Sequence, residues 1–317
     1  MPLVLSLIAC RNHQTLRALV LLLGFVYCAE SWGAPGFRVG TYNLNNYSDD
    51  SLGPRPIKTE AAKAKIRESI RALNADVLAV QEVASQRAFE ELRFSLRSEG
   101  LHYPHAELLF AWDTNIHVGI LSRFPVTACR RHTNDTYLLM GRRFHVERGF
   151  LEAEVQVAPN DRVTLITAHL KSRRQVVEAD QADMRLREAT ILRERVDAIL
   201  NSNPRAKLIV LGDLNDTKDS LPVRAIIGRY RNQLVDLRPA ERNGDNQPPP
   251  NPRWDPLWIT WTHFYGKEDT YSRIDYILVS EALAKRVQRQ GTYVLALPNW
   301  GVASDHRPIV AAFAAAE

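Results

Sequence analysis

Cysteine is scarce in this chain: there are 3 in 317 residues, and two of them, Cys10 and Cys28, lie close to its start. If that stretch is removed, Cys129 stands alone and no internal disulfide can form, so stability must come from a packed core. No closely spaced cysteine pairs are present to build a structural zinc site. The chain also lacks internal repeats, low-complexity linkers and any apolar run long enough to span the roughly 30 Å of a bilayer core. Its main apolar run, ALVLLLGFVYCA from Ala18 to Ala29, follows Arg11 and Arg17 and precedes the small residues Ser31, Gly33 and Ala34. That order resembles a signal peptide over residues 1–33, cleaved after Gly33, and predicts a secreted or periplasmic protein with no membrane span in the mature chain. A buried or anchoring N-terminal helix is the alternative. A lipoprotein anchor is disfavoured, because Tyr27 is too bulky for the position before a lipidated cysteine.

The composition, 45% hydrophobic and 24% charged, is that of a globular domain. A formal charge of +5 favours anionic partners without identifying them. Strand-like and helical stretches alternate. FRVGTYNL, DVLAVQEV, HVGILSR, GFLEAEVQV, RVTLITAHL, KLIVLGD, RIDYILVS and PIVAAFA read as strands. IKTEAAKAKIRESIRALN, with Ala62, Ile66, Ile70 and Leu73 at helical spacing, reads as a helix, as do Gln181 to Leu200 and a short stretch from Pro222 to Ile227. The Pro-rich loop GDNQPPPNP could mark a domain boundary, but strands on both sides of it carry related polar tips. One domain over residues 34–317 is therefore expected.

Those tips carry the chemistry. KLIVLGDLNDT drives an apolar run into a glycine and then sets Asp213, Asn215 and Asp216 at its end. TYNLNN ends in Asn43 and Asn45, VQEV in Gln81 and Glu82, TAHLKS in His169 and Lys171, and RIDY in Asp275, while Asp305 and His306 sit just before the last strand. Taken singly, each has a bland explanation as a turn, a helix cap or a satisfied core histidine. Together they are hard to explain so, because carboxylates are rarely buried unless paired or metal-bound. Oxygen donors without a cysteine cluster suit Mg²⁺, with Mn²⁺ or Ca²⁺ possible, and argue against zinc. A carboxylate beside a histidine supplies proton-transfer chemistry, and the set suits attack of water on a phosphate ester.

In this order, TYNLNNY, QEV, AHLKS, GDLND, RIDYILVS and SDHRPIV resemble the endonuclease/exonuclease/phosphatase superfamily, which includes type I deoxyribonucleases, abasic-site endonucleases, sphingomyelinases and inositol-phosphate phosphatases. The match runs from about Phe37 to Phe313. The resemblance implies an α+β fold, a four-layer α/β/β/α sandwich of two packed mixed β-sheets, with the site at one rim. It implies Glu82 as the principal metal ligand, supported by Asn43 and Asn45, with Asp305 as a further ligand. Asp213 is implied to orient the attacking water and Asn215 to hold the phosphate, with His306 paired to Asp275 and His169 as the second histidine. Asp216 is expected to turn away as a cap. Arg148 occupies the position of an arginine on the substrate backbone. Many relatives carry an acid where Asn45 stands, so any second metal position is expected to be weaker.

Lys171, Arg173 and Arg174, with Arg130, Arg131, Arg142, Arg143 and Tyr137, are expected near one rim, where basic residues interleaved with an aromatic suit a phosphate backbone. No apolar hairpin of the kind lipid-cleaving relatives use is evident, and HLKS before an Arg-rich helix looks most like secreted bacterial nucleases. The expectation is a secreted nuclease acting on DNA or RNA with little sequence preference, with no obligate protein partner implied. A phospholipid or small-molecule phosphodiesterase or phosphatase is the alternative. An inactive binding module is disfavoured, since competent residues fill every motif position.

Overall fold

A computed structural model of the chain describes residues 35–49, 57–242 and 259–316. The expected leader and the GDNQPPPNP loop lie outside the described residues. In chain order the elements are β1 (Pro35–Tyr47), α1 (Glu60–Leu73), β2 (Val77–Val83), α2 (Gln86–Ser98), β3 (His105–Leu109), β4 (His117–Ser122), β5 (Val126–His132), β6 (Thr136–Leu139), β7 (Arg142–His145), β8 (Phe150–Ala158), β9 (Asp161–His169), α3 (Gln181–Ser202), β10 (Leu208–Asp213), α4 (Leu221–Ile227), β11 (Val235–Asp236), β12 (Ala240–Glu241), β13 (His263–Tyr265), β14 (Thr270–Ser272), β15 (Asp275–Val279), α5 (Glu281–Ala284), β16 (Val287–Val294) and β17 (Ile309–Ala314).

Two large sheets result, in the orders β12-β16-β17-β1-β2-β4-β3 and β11-β15-β10-β9-β8-β5. Both are mixed: β1 runs parallel to β2, and β9 parallel to β10, among antiparallel neighbours. The inner faces meet through Phe37, Val39, Val77, Ala79, Val118 and Ile120 of the first sheet and Leu151, Leu165, Ile209, Leu211 and Ile277 of the second. On the outside of the first sheet, Ile66, Ile70 and Leu73 of α1 and Phe89, Leu92 and Leu96 of α2 cover Leu78 and Val80. Leu192 and Val196 of α3 and Val223 and Ile226 of α4 cover Ile166, Val210 and Leu278 outside the second. The layers are helix, sheet, sheet, helix, as the resemblance implies. Each fully buried Ile or Leu contributes about 1.5–3 kcal/mol, so both outer layers are held mainly by these few positions per helix.

Helix ends follow local chemistry. Thr59 Oγ1 accepts from Ala62 N, and Asn74 closes α1 in the left-handed conformation at φ 48°. The α2 helix was not anticipated from the sequence, although Ala88, Phe89, Leu92 and Leu96 form its buried stripe and Ser85 caps it.

One glycine fixes how the second sheet reaches its rim. Gly212 has φ +132°, and a Cβ built there would stand 2.0 Å from Ala168 O on β9. No side chain fits, and the residue that follows is Asp213. Gly212→Ala is expected to destabilise the fold by about 1–3 kcal/mol or more, the scale of a strained backbone position. Gly266→Ala, whose nearest neighbour would lie at 3.4 Å, is expected to be close to neutral. Urea unfolding of both variants checks this, and equal midpoints would refute the steric account.

Candidate active site

Strand alternation assembles the site. Val39, Thr41 and Asn43 share the inward side of β1, as do Val77, Ala79 and Gln81 on β2, Leu165, Thr167 and His169 on β9, Ile209, Leu211 and Asp213 on β10, and Ile277 and Asp275 on β15. Each row is apolar in the seam between the sheets and turns polar at the same end. Register keeps the tips level: Asn43 stands beside Gln81, and Asp213 beside both His169 and Asp275. Beneath them Gln81 spans the seam, its Nε2 donating to Thr41 Oγ1 at 3.0 Å and to Thr167 Oγ1 at 3.4 Å.

Glu82 would point away from this seam if β2 stayed regular. It instead takes φ 62°, with Asn45 at 47°, Asn46 at 58° and Asn215 at 53°. Non-glycine residues in this region each store on the order of 1–3 kcal/mol and persist only where neighbours over-determine them. The neighbours here are explicit. Glu82 Oε1 accepts from Asn43 Nδ2 at 3.2 Å and Oε2 from Asn46 N at 3.0 Å. Lys58 Nζ donates to Leu44 O at 2.8 Å and Asn45 O at 2.6 Å. Asn215 N donates to Asp213 Oδ1 at 2.8 Å, and its Nδ2 to Leu170 O at 2.9 Å.

Asp213 is the hub. Its Oδ2 accepts from Asn43 Nδ2 at 3.0 Å and stands 3.4 Å from His169 Nε2 and 3.7 Å from His306 Nε2. Burial pushes its carboxyl up to about 6, with Asp275 adding to the rise and His306, Asn215 N and Asn43 opposing it. His306 Nδ1 meets Asp275 Oδ2 at 2.8 Å. Burial alone would depress this imidazolium, but Asp275, Asp213 and Asp305 outweigh it and raise it to about 10. Asp275 Oδ1 is buried without a hydrogen-bond partner. Asp305, half exposed, lies 4.0 Å from His306 Nε2.

A family model described as the endonuclease/exonuclease/phosphatase family matches residues 40–306. The chain belongs to this family. No curated protein sequence matches the chain. Among solved structures, the human Nocturnin catalytic domain superposes with a TM-score of 0.59 at 18% identity over 87% of this chain and 93% of that one. Sphingomyelinase C from Streptomyces griseocarneus gives 0.55 at 16% over 87% and 99%, and the 3′-5′ exonuclease NExo from Neisseria meningitidis gives 0.57 at 19% over 87% and 99%. At these identities the likeness is one of fold.

Members of this family are divalent-metal-dependent phosphoric ester hydrolases, and the donor set here suits such an ion: hard carboxylate oxygens, those of Glu82 and Asp213 drawn together through Asn43 Nδ2. Asn43 reaches Glu82 and Asp213 with its amide nitrogen, while its Oδ1 accepts from Asn45 N at 2.9 Å. Asn45 Oδ1 accepts from Asn46 Nδ2 at 3.0 Å, so both asparagines shape the loop around Glu82.

Some expected rim residues are placed differently. Arg148 is buried, donating from Nη1 to Leu170 O at 2.8 Å, with Nε 3.4 Å from Asp113. It braces the chain just after His169. Tyr137 is also buried, stacked on Phe144 in the core outside the second sheet, so it offers no platform to a base. Lys171 Nζ pairs with Glu147 at 3.1 Å, and Arg173 holds Asn215 O at 3.1 Å and Asp216 at 3.3 Å. Asp216 is turned toward Arg185 as well, at 2.9 Å, the structural position expected of it. Arg130 and Arg131 pair with Glu152 and Glu107 along the edge strand β5. Arg174, Arg142 and Arg143 are exposed.

Two neighbours of the site were missed. Lys58, pushed down to about 8 by burial and partly restored by Asp305 and Glu82, arrives from the loop before α1. His263 packs against His306 with ring centroids 4.6 Å apart. Lys58 shows as an ordinary charge ahead of a helix, and only the WTHFY run around His263 hinted at a strand.

The Asp275–His306 pair predicts a pH dependence. In EDTA its stabilisation is complete below the ordinary histidine value of 6.5 and is lost as pH rises through about 10. The raised Asp213 carboxyl works in a lower window, where its ionisation costs stability as pH rises through about 6. Thermal unfolding is therefore expected to show a loss of stability between pH 7 and 10 that is much flatter in Asp275→Asn. Parallel profiles would separate the raised histidine from its partner.

Proposed function

We propose that the chain is an exported, Mg²⁺-dependent nuclease that hydrolyses DNA or RNA phosphodiesters with little sequence preference. The observation that carries the hydrolytic part is the meeting of Asp213, His169 and the Asp275–His306 pair beside Glu82 within one buried cluster. Glu82 would hold the cation, with Asp305 as a further ligand, and Mn²⁺ or Ca²⁺ could replace Mg²⁺. Bound there, the ion supplies positive charge to phosphate oxygens.

The side chains do the rest. Asp213, with its carboxyl raised to about 6, accepts a proton from the attacking water while Asn43 and Asn215 hold its orientation. His306, kept cationic by Asp275, stabilises charge growing on the phosphate oxygens. His169, 3.4 Å from Asp213, contacts the phosphate or protonates the leaving oxygen. One amide hydrogen of Asn215 is committed to Leu170 O, which leaves the other for the phosphate.

The nucleic-acid reading is supported by exposed Arg174, shortly after His169, and by exposed Arg142 and Arg143. A lipid reading has one observation in its favour. The β6–β7 hairpin turns through Met140 and Gly141, both at positive φ, and exposes Leu138 at 61% and Met140 at 81%. That apolar tip was not evident in the sequence. Export rests on the leader sequence alone, and N-terminal sequencing of protein recovered from the culture medium or periplasm tests it.

Digestion of plasmid and RNA, beside hydrolysis of sphingomyelin vesicles, separates the two readings. Nucleic-acid cleavage abolished by EDTA is expected, and cleavage of the lipid alone would overturn the nuclease assignment. Glu82→Gln is expected to raise the Mg²⁺ concentration needed for activity, because a neutral amide replaces a charged oxygen. His306→Ala and Asp213→Asn are each expected to lower turnover by roughly 10²-fold or more in folded protein. Near-normal turnover in either would remove that residue from the reaction.

A further inference from the structure

His263 is not required by the chemistry above, yet it stands beside it. The residue opens β13, and its backbone forms an isolated antiparallel bridge with His306. Residues opposed in this way project to the same face, with Cβ atoms about 4.5–5.5 Å apart. The two imidazoles accordingly pack at 4.6 Å between centroids. Asp305 closes the group: His263 Nε2 lies 3.7 Å from its Oδ2, and His306 Nε2 4.0 Å from its Oδ1. One ligand atom from each of the three residues lies within 4.8 Å of the other two.

We propose that His263, Asp305 and His306 form a binding site for a borderline transition ion of the Zn²⁺ class, and that an ion held there inhibits hydrolysis. Ligands around a tetrahedral zinc stand roughly 3.4 Å apart, given Zn–N bonds of about 2.0–2.1 Å. The three ligand atoms, now within 4.8 Å of one another, would have to draw together by up to about 1.4 Å, a shift within reach of small side-chain rotations. Two imidazoles and a carboxylate, with the fourth position left to water, match zinc and not Mg²⁺, which prefers oxygen donors in octahedral array. The orientation is set in advance. His306 Nδ1 is engaged by Asp275 at 2.8 Å, the arrangement that fixes a ligating imidazole with Nε2 presented to the ion. Phe264 N donates to Asp305 O at 3.0 Å, and Arg307 N to Thr262 O at 2.6 Å, so the His263 strand and the Asp305–His306 segment move as one piece. Asp305 is half exposed, which leaves an entry path.

The inhibitory half rests on the reading of His306 as a catalytic residue: an ion on its Nε2 removes the group that faces the phosphate. The binding half does not depend on that reading. The two are measured separately on the whole protein. Zn²⁺ affinity is read by competition with a chromophoric chelator and geometry by the visible spectrum of the Co²⁺ form. Inhibition is read as the Zn²⁺ concentration that halves each variant's own Mg²⁺-supported activity. Loss of a ligand's hydrogen-bond partner alone costs roughly 10–100-fold in metal affinity, so His263→Gln, which removes a ligand, is expected to weaken Zn²⁺ by about 100-fold or more. The half-inhibiting concentration should rise in parallel. His263→Ala serves as a second variant, and an unchanged thermal midpoint shows that either is folded.

Equal Zn²⁺ affinity in wild type and folded His263→Gln would overturn the site, as would the absence of tight binding in wild type. Zinc bound through His263 that leaves hydrolysis untouched would keep the site and remove His306 from the reaction. Inhibition unaffected by His263→Gln but weakened by Glu82→Gln would assign the ion to the Glu82 position and refute the proposal.

Discussion

A single buried carboxylate organises this molecule. Asp213 sits at the seam of two sheets with almost no access to water, where an uncompensated charge would cost several kcal/mol. Its compensation comes from both sheets at once: Asn43 from the first, His169 and the Asn215 amide from the second, and His306 from the segment that enters β17. None of these groups is near the others in sequence. The hydrophobic seam therefore has to hold strand register to within a fraction of a residue for the charge to be tolerable, and a slip in either sheet would carry a partner to the opposite face.

The strained backbone around the hub follows from the same demand. Regular alternation places one side chain in two at the seam, yet the site needs neighbouring positions to converge. Bulges at Asn45–Asn46 and Glu82 break the alternation, and the left-handed turn at Asn215 lets its amide return to Asp213. Lys58 and Arg148 hold these departures by bonding carbonyl oxygens of Leu44, Asn45 and Leu170, the backbone on either side of the functional groups.

This explains which parts could be read in advance. The layers were legible because buried strands and one-sided helices carry their burial in their periodicity, and Asn43, Glu82, His169, Asp213, Asp275 and His306 were legible because polar residues interrupt apolar strands at matching ends. Lys58 and His263 were not, since a lysine before a helix and a histidine in an aromatic run look like surface and core. Their importance exists only once the chain is folded. Tyr137 went the other way: an aromatic letter was expected at the rim, but an outer core layer claimed it. The β6–β7 hairpin was hidden because its strands are short and its apolar tip is a few residues long.

The pairing of β1 with β17 has a consequence for timing. Phe37 lies opposite Phe313, and Thr41 opposite Ile309, so the strand that carries Asn43 gains its antiparallel neighbour only when a segment more than 260 residues later is present. Asp305 and His306 arrive with that same segment. A chain that lacks this segment thus has neither β17 beside β1 nor the His306–Asp275 pair. Contacts of such long sequence separation also close slowly. Until residues 305–313 have been made, Asp213 lacks one of its charge partners and β1 lacks its antiparallel neighbour, so the buried carboxylate cannot be compensated in a shorter chain.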